Sequence, residues 1–221
     1  GEKADLGIAL DGDGDRLILV DHQGEVVDGD EALFIIAKQM KDRGELEGGV
    51  VGTLMSNFGL EQAFSAMGVP FVRANVGDRY VMEELKNRGW SVGGESSGHI
   101  VCKHLTSTGD GTISALQVLR AIKDTGLTLH ELKKAMEKMP QTMINVRMHK
   151  RVDIRSVEEI QSAVQRTEAA LGGNGRVLLR PSGTEPLVRV MLEGKDKSLV
   201  EKLCAELAKD VENALYALVS Q

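Results

Sequence analysis

Short apolar runs broken by glycine and acidic residues set the rhythm of the first 140 positions. Residues 6–10 and 17–20 are two such runs, each bounded by turn residues, and both read as buried strands. The spacing of Leu33, Ile36, Ala37 and Met40 then switches to helical, predicting a helix over 31–43 that Gly44 ends. Residues 50–55 read as a buried strand, Ser56 and Asn57 as the cap of a helix over 60–67, and 69–76 as another strand. Gly77 and Asp78 open a helix over 79–88, stopped by Gly89. A short strand over 90–93 and an extended 100–102 follow, then a turn at 106–111. Helices are predicted over 112–123 and 129–139, the second capped by Thr128. Strands alternating with helices predict a three-layer α/β unit.

Pro140 marks a boundary beyond which the rhythm changes. A strand over 142–148, an amphipathic helix over 156–171, strands over 176–179 and 187–192, and a last helix over 198–218 make a β-α-β-β-α order. That order predicts a small, separate α+β domain.

Composition narrows the class. The chain has 221 residues, 42% of them apolar but only 3% aromatic, so its cores must be aliphatic and filled with Met. A net charge of −6 argues against a nucleic-acid binder. No apolar run is long enough to span a membrane, and no signal peptide is visible. Cys102 and Cys204 stand in unrelated contexts, which suggests reduced structural thiols and a cytoplasmic protein. The chain begins with Gly1 and enters an apolar run by Leu6, which suggests a piece of something longer.

Three loops carry candidate chemistry. In the first, Asp11-Gly12-Asp13-Gly14-Asp15-Arg16, three carboxylates alternate with glycines on the turn between two strands. Like charges this close call for a cation, and hard oxygen ligands suit Mg²⁺ or Ca²⁺. An EF-hand loop would need Gly and Glu where Arg16 and His22 stand. An aspartyl-phosphate phosphatase and a plain solvated acidic turn are the other readings. Arg16 beside the triad favours a phosphoryl-transfer site.

In the second loop, 93–99, Glu95 and Ser97 alternate with Ser96 and Gly98 and would share one side if the loop is extended, a pairing suited to sugar hydroxyls. His99 follows, with a side chain suited to proton transfer; the plain alternative is a glycine-rich bend. His22, His104, His130 and His149 lack such surroundings and are expected at the surface. The third loop, 180–186, combines small residues that can form an anion nest with Arg180, Ser182 and Thr184, and Arg189 lies on the next strand. An ordinary hairpin turn is its plain alternative. Ser56-Asn57 and Gly77-Asp78-Arg79 are weaker candidates at the ligand edge of an open α/β sheet.

Together Asp-Gly-Asp-Gly-Asp-Arg, Gly-Gly-Glu-Ser-Ser-Gly-His and Arg-Pro-Ser-Gly-Thr-Glu-Pro, in this order, resemble the metal, sugar and phosphate loops of the α-D-phosphohexomutases. The resemblance covers essentially the whole chain. Segment 76–81 and the 180–186 loop look most like the branch that interconverts glucosamine 6-phosphate and glucosamine 1-phosphate. It implies a three-layer phosphohexomutase-type α/β domain followed by a small α+β domain similar to the TATA-binding-protein type. Residues 1–22 would be the tail of the family's domain two, 23–139 its domain three and 140–221 its domain four.

By the same resemblance Asp11, Asp13 and Asp15 would hold Mg²⁺, and Arg16 would assist at the moving phosphoryl. His99 would lie near the reacting hydroxyl, and Glu95 and Ser97 would grip the sugar. Arg180, Ser182, Gly183, Thr184 and Arg189 would hold the phosphate that is not transferring. The family carries the phosphoryl on a serine in a Thr-Ala-Ser-His-Asn-Pro-like loop that does not occur in this sequence. The resemblance therefore implies a mutase portion that lacks its nucleophile, with the family's N-terminal domains and a sugar phosphate as partners and a homodimer for the intact protein. A phosphomannomutase or phosphoglucomutase of the same family, or a sugar-phosphate-binding module without chemistry, are the alternatives.

Overall fold

The computed structural model describes residues 3–148, 152–182 and 185–218. The chain divides into two compact units, residues 1–138 and 139–221.

In the first unit, β1 (Leu6–Leu10) and β2 (Leu17–Asp21) form an antiparallel hairpin in which Leu10 pairs with Leu17, and β3 (Val26–Val27) adds to β2. The acidic loop is therefore the hairpin's connection. β2 buries Leu17 and Leu19, but β1 corrects an expectation, because it lies largely in solvent with Ile8 and Leu10 nearly half exposed. Among the described residues β1 pairs with β2 alone and so stands at the edge of its sheet.

α1 (Gly29–Asp42) begins at Asp28, whose side chain accepts the N–H groups of Asp30 and Glu31 while Glu31 reaches back to the Asp28 N–H. This capping box satisfies donors that the helix itself leaves open. The sheet that follows has the order β5-β4-β6-β7, built from β4 (Val50–Thr53), β5 (Phe71–Ala74), β6 (Val92–Gly94) and β7 (Ile100–Cys102). β4 runs parallel to β5 and β6, and β7 turns back antiparallel on β6.

Alternation along these strands makes the layers. Val50, Val92, Ile100 and Cys102 face one core with α1 and with residues of α2 (Phe58–Ala66) and α4 (Gly111–Thr125). Val51, Ala74 and Val101 face a second core with Val81 and Leu85 of α3 (Asp78–Arg88). Helices thus cover both faces, as the sequence pattern predicts. The helix expected over 129–139 is shorter: α5 spans Leu129–Lys133, and Met136 and Met139 are buried beyond its end. Apolar spacing reports burial here rather than continued helix.

In the second unit, β8 (Gln141–Arg147), β9 (Gly175–Pro181) and β10 (Leu187–Gly194) form an antiparallel sheet with β10 central. Val146, Val188, Val190 and Leu192 face α6 (Glu158–Leu171) and α7 (Lys197–Ala217) across a core of Ile160, Val200, Leu207 and Val211. A 3-10 turn, Ile154–Ser156, replaces the first residues of the predicted helix, because the Asp153 side chain accepts the Arg155 N–H and caps the turn separately.

Candidate functional site

The acidic loop is organised by its own backbone. Oδ1 of Asp11 accepts the N–H groups of Gly14, at 3.0 Å, and Arg16, at 3.3 Å, while Oδ2 lies 3.9 Å from Arg16 Nε. Asp11, Asp13 and Arg16 are exposed and Asp15 is half-buried. Among the described residues, the potential ligand atoms that all lie within 4.8 Å of one another belong to Asp21, Glu25 and His130, and the three loop aspartates are spread more widely. The donor chemistry of the loop still fits a hard divalent cation: three carboxylates on alternate residues of one turn, with no lysine among them.

The second loop leads from β6 to β7 and packs against the start of α1. Gly29 donates its N–H to the Ser96 carbonyl at 3.2 Å. A methyl group at Gly29 would overlap the Glu95 carbonyl oxygen and the Gly98 nitrogen, so only glycine permits this approach. Oε2 of Glu95 accepts the Gly77 N–H at 3.0 Å, which ties the loop to the N-terminus of α3. Gly77 and Glu95 are thereby brought together, and Ser97 is exposed.

His99 is buried, only 4% exposed. Its backbone bridges to Arg16, and Leu17 donates its N–H to the Gly98 carbonyl at 3.0 Å, so the first two loops are joined main chain to main chain. Nε2 of His99 lies 3.7 Å from Asp15 Oδ2, and its Nδ1 is buried without a hydrogen-bond partner among the described residues. Of the weaker candidates, Asn57 caps α2 by accepting the Gly59 N–H, and Ser56 Oγ accepts the Thr53 N–H. Asp78 and Arg79 are exposed at the start of α3.

The third loop lies in the second unit. Arg180 on β9 and Arg189 on β10 are directly paired across the sheet, as are Arg189 and Asn145 of β8. Opposite residues share a face, so both arginines project from the same side of the sheet. Neither makes an ion pair among the described residues. Ser182 is held by its N–H, donated to the Leu187 carbonyl at 2.8 Å, and its Oγ accepts the Glu185 N–H at 3.2 Å. Gly183 and Thr184 lie outside the described residues, as does His149.

One cluster was not foreseen. His130, expected at the surface, is buried with its Nδ1 2.8 Å from Asp21 Oδ2. Nζ of Lys133 lies 2.8 Å from the same oxygen and 2.7 Å from Glu25 Oε2. Burial opposes ionisation of Asp21, but the bonds from Lys133, His130 and the Glu25 and Gln23 N–H groups outweigh it and hold the carboxyl well below its usual range. The three-residue spacing of His130 and Lys133 puts both on one face of α5, and that is the local signal available. Their partners are more than a hundred residues away. His22 and His104 are exposed as expected.

Two family profiles match the chain. One, described as phosphoglucomutase/phosphomannomutase, alpha/beta/alpha domain III, covers residues 28–139, and the other, the C-terminal domain of the same group, covers residues 143–210. A protein of Hahella chejuensis (strain KCTC 2396) named phosphoglucosamine mutase is 62% identical over 212 residues, which are 96% of this chain and 48% of that protein. One of the same name from Methylococcus capsulatus is 60% identical over 216 residues, covering 98% of this chain and 48% of the relative. The chain thus spans about half the length of the curated relatives it matches. Among solved structures, Aspergillus fumigatus N-acetylphosphoglucosamine mutase in complex with GlcNAc-6P and magnesium superposes with a TM-score of 0.76 at 22% identity, over 97% of this chain and 50% of that one. A phosphoglucomutase/phosphomannomutase family protein from Burkholderia thailandensis gives 0.73 at 19% identity, over 96% and 47%. These likenesses establish the shared fold.

Proposed function

The chain belongs to the phosphoglucomutase/phosphomannomutase family, and from that membership we propose that it is the C-terminal portion of an enzyme interconverting glucosamine 6-phosphate and glucosamine 1-phosphate. The observation that carries the choice of sugar is the 62% identity, over nearly the whole chain, to a relative named for that reaction. The reaction would run through a phosphoserine and a bisphosphate intermediate and feed amino-sugar precursors of the cell wall. Residues 1–22, 23–139 and 140–221 are assigned to the end of the family's second domain, its third domain and its fourth.

Each loop then has a task. Asp11, Asp13 and Asp15 would hold Mg²⁺, whose chemistry is to neutralise charge on a phosphoryl group in transfer. Arg16, exposed beside Asp11, supplies a guanidinium to the same oxygens. Glu95, oriented by the Gly77 N–H, and the exposed Ser97 offer an acceptor and a donor to vicinal hydroxyls. Arg180 and Arg189, unpaired with carboxylates among the described residues, form with Ser182, Gly183 and Thr184 the clamp for the resting phosphate.

The nucleophile that accepts and returns the phosphoryl would lie outside these 221 residues, so the chain alone should bind sugar phosphate and turn none over. The test is a coupled assay on the product of the whole reading frame, offered glucosamine, glucose and mannose 6-phosphates, beside the 221-residue chain. Preference for the glucosamine ester by the former and inactivity of the latter are the expected results. Preference for glucose or mannose phosphate would overturn the sugar assignment, and turnover by the chain alone would overturn the placing of the nucleophile.

A further inference from the structure

We infer that Gly77 is a positioning residue, whose N–H and glycine-only backbone set the direction in which Glu95 presents its carboxylate to the sugar. The inference rests on the reading of Glu95 as the acceptor for sugar hydroxyls. Both ends of the Glu95 side chain are fixed. At the main chain, Glu95 donates its N–H to the His99 carbonyl at 2.9 Å, and its own carbonyl accepts the Gly98 N–H at 3.0 Å, which closes a tight turn. At the head, Oε2 accepts the Gly77 N–H at 3.0 Å. Among the described residues the carboxylate takes no other hydrogen bond or ion pair. A carboxylate has about four acceptor directions, so one is used for orientation and the rest stay open to hydroxyls.

This bond is not the helix's own capping. In α1 the glutamate three residues past the cap, Glu31, accepts the N–H of the cap residue Asp28. In α3 the cap residue is Gly77, and Tyr80 stands three residues past it, so that position carries no carboxylate. Glu95 supplies the acceptor from a loop 18 positions away in sequence.

The backbone of Gly77 allows its N–H to point this way. Its φ is 127° and its ψ 141°, a region closed to residues with a β-carbon. Crowding is not the reason for glycine, because the atom nearest an added methyl group would be a Tyr80 ring carbon at 3.5 Å, an ordinary contact. Alanine at this position fits the space but not the dihedral angles. The backbone then has to turn, which takes the N–H off Glu95 and leaves the carboxylate present but free to rotate.

The experiment measures kcat and KM for glucosamine 6-phosphate on the product of the whole reading frame and four variants: Gly77→Ala, Glu95→Ala, the two together, and Gly89→Ala. Gly89 ends the same helix with a φ of 68° and open space around it, so its alanine strains α3 at the end away from Glu95 and controls for stability. Gly77→Ala should raise KM about tenfold with little change in kcat, because the sugar is held alike before and during transfer. Glu95→Ala should raise KM at least as much. Adding Gly77→Ala to it should change nothing further, since the N–H then has no carboxylate to orient. Gly89→Ala should behave like the parent. A parental KM in Gly77→Ala, equal losses in Gly77→Ala and Gly89→Ala, or additive losses in the pair would overturn the inference. A parental KM in Glu95→Ala, or a whole protein that turns over no sugar phosphate, would instead end the underlying reading of Glu95 and this inference with it. The Gly77 amide of the unaltered 221-residue chain gives an answer that no folding defect can obscure. Glucosamine 6-phosphate should shift it and inorganic phosphate should not, and an amide that ignores the sugar ester, or responds equally to both, refutes the assignment.

Discussion

Lys133 Nζ and Asp21 Oδ2 lie 2.8 Å apart, joining α5 to the strand that leads out of the acidic hairpin. His130 bonds the same carboxylate, so one buried anion is shared by two side chains of one helix turn. Asp21 and Lys133 are each more than nine-tenths buried, and removing one would strand the other. Asp21→Asn or Lys133→Met alone should cost about 3–5 kcal/mol, and the double replacement less than the sum. Urea denaturation of the four proteins measures the difference.

The same pair makes stability depend on pH in a defined direction. Asp21 is held below its ordinary value in the folded state, so the unfolded chain takes up its proton first as pH falls. The stabilisation is complete above the ordinary carboxylate range and is lost on acidification through that range toward the folded value. Lys133 is raised, because its bonds to Asp21 and Glu25 outweigh the opposing effect of burial, so its contribution persists below the ordinary lysine value and fades only at higher pH. Melting curves should fall on acidification below about pH 5, and Asp21→Asn should flatten that fall.

Arg180 and Arg189 predict opposite signs for binding and stability. Like charges directly opposed on a sheet are unfavourable, so Arg189→Met should stabilise the second unit by about 0.2–1 kcal/mol. It should at the same time weaken phosphate binding. Glucosamine 6-phosphate should bind the chain at roughly millimolar strength, equivalent to about 4 kcal/mol. Arg180→Ala should remove most of that binding and Arg180→Lys should restore little, because a point charge lacks the guanidinium fork. Amide shifts during titration check this, and unchanged binding in Arg180→Ala would reduce the loop to a hairpin turn.

Both cysteines should be inert in the folded protein. Burial pushes the Cys102 thiol up to about 12 and raises Cys204 as well, whose Sγ also lies 3.6 Å from the Thr142 and Val190 carbonyl oxygens. The thiolate is the reactive form, so a disulfide reagent at pH 8 should label neither thiol until the chain is unfolded in denaturant. Rapid labelling of the native protein would contradict the burial of both side chains.

Local pattern determined much of this protein. The continuous apolar runs at 50–55 and 100–102 pointed to extended, buried segments, and the caps at Asn57 and Thr128 stand where short polar side chains precede helical spacing. The acidic loop's own hydrogen bonds follow from local sequence, because Asp11 reaches Gly14 and Arg16 within five residues. What tertiary structure decided are relations between distant positions. The apolar run of β1 gives no sign that it stands at a sheet edge among the described residues, because edge and centre are properties of the sheet. The end of α5 at Lys133 was hidden because Met136 and Met139 are buried without being helical. His130 looked like a surface histidine because its partner, Asp21, is 109 positions away, and burial of a charge depends on a counter-charge that the chain brings back only by folding. The enclosure of His99 by Gly109 is of the same kind: a glycine in a turn announces flexibility, and only the packed ring shows that the space it leaves is filled.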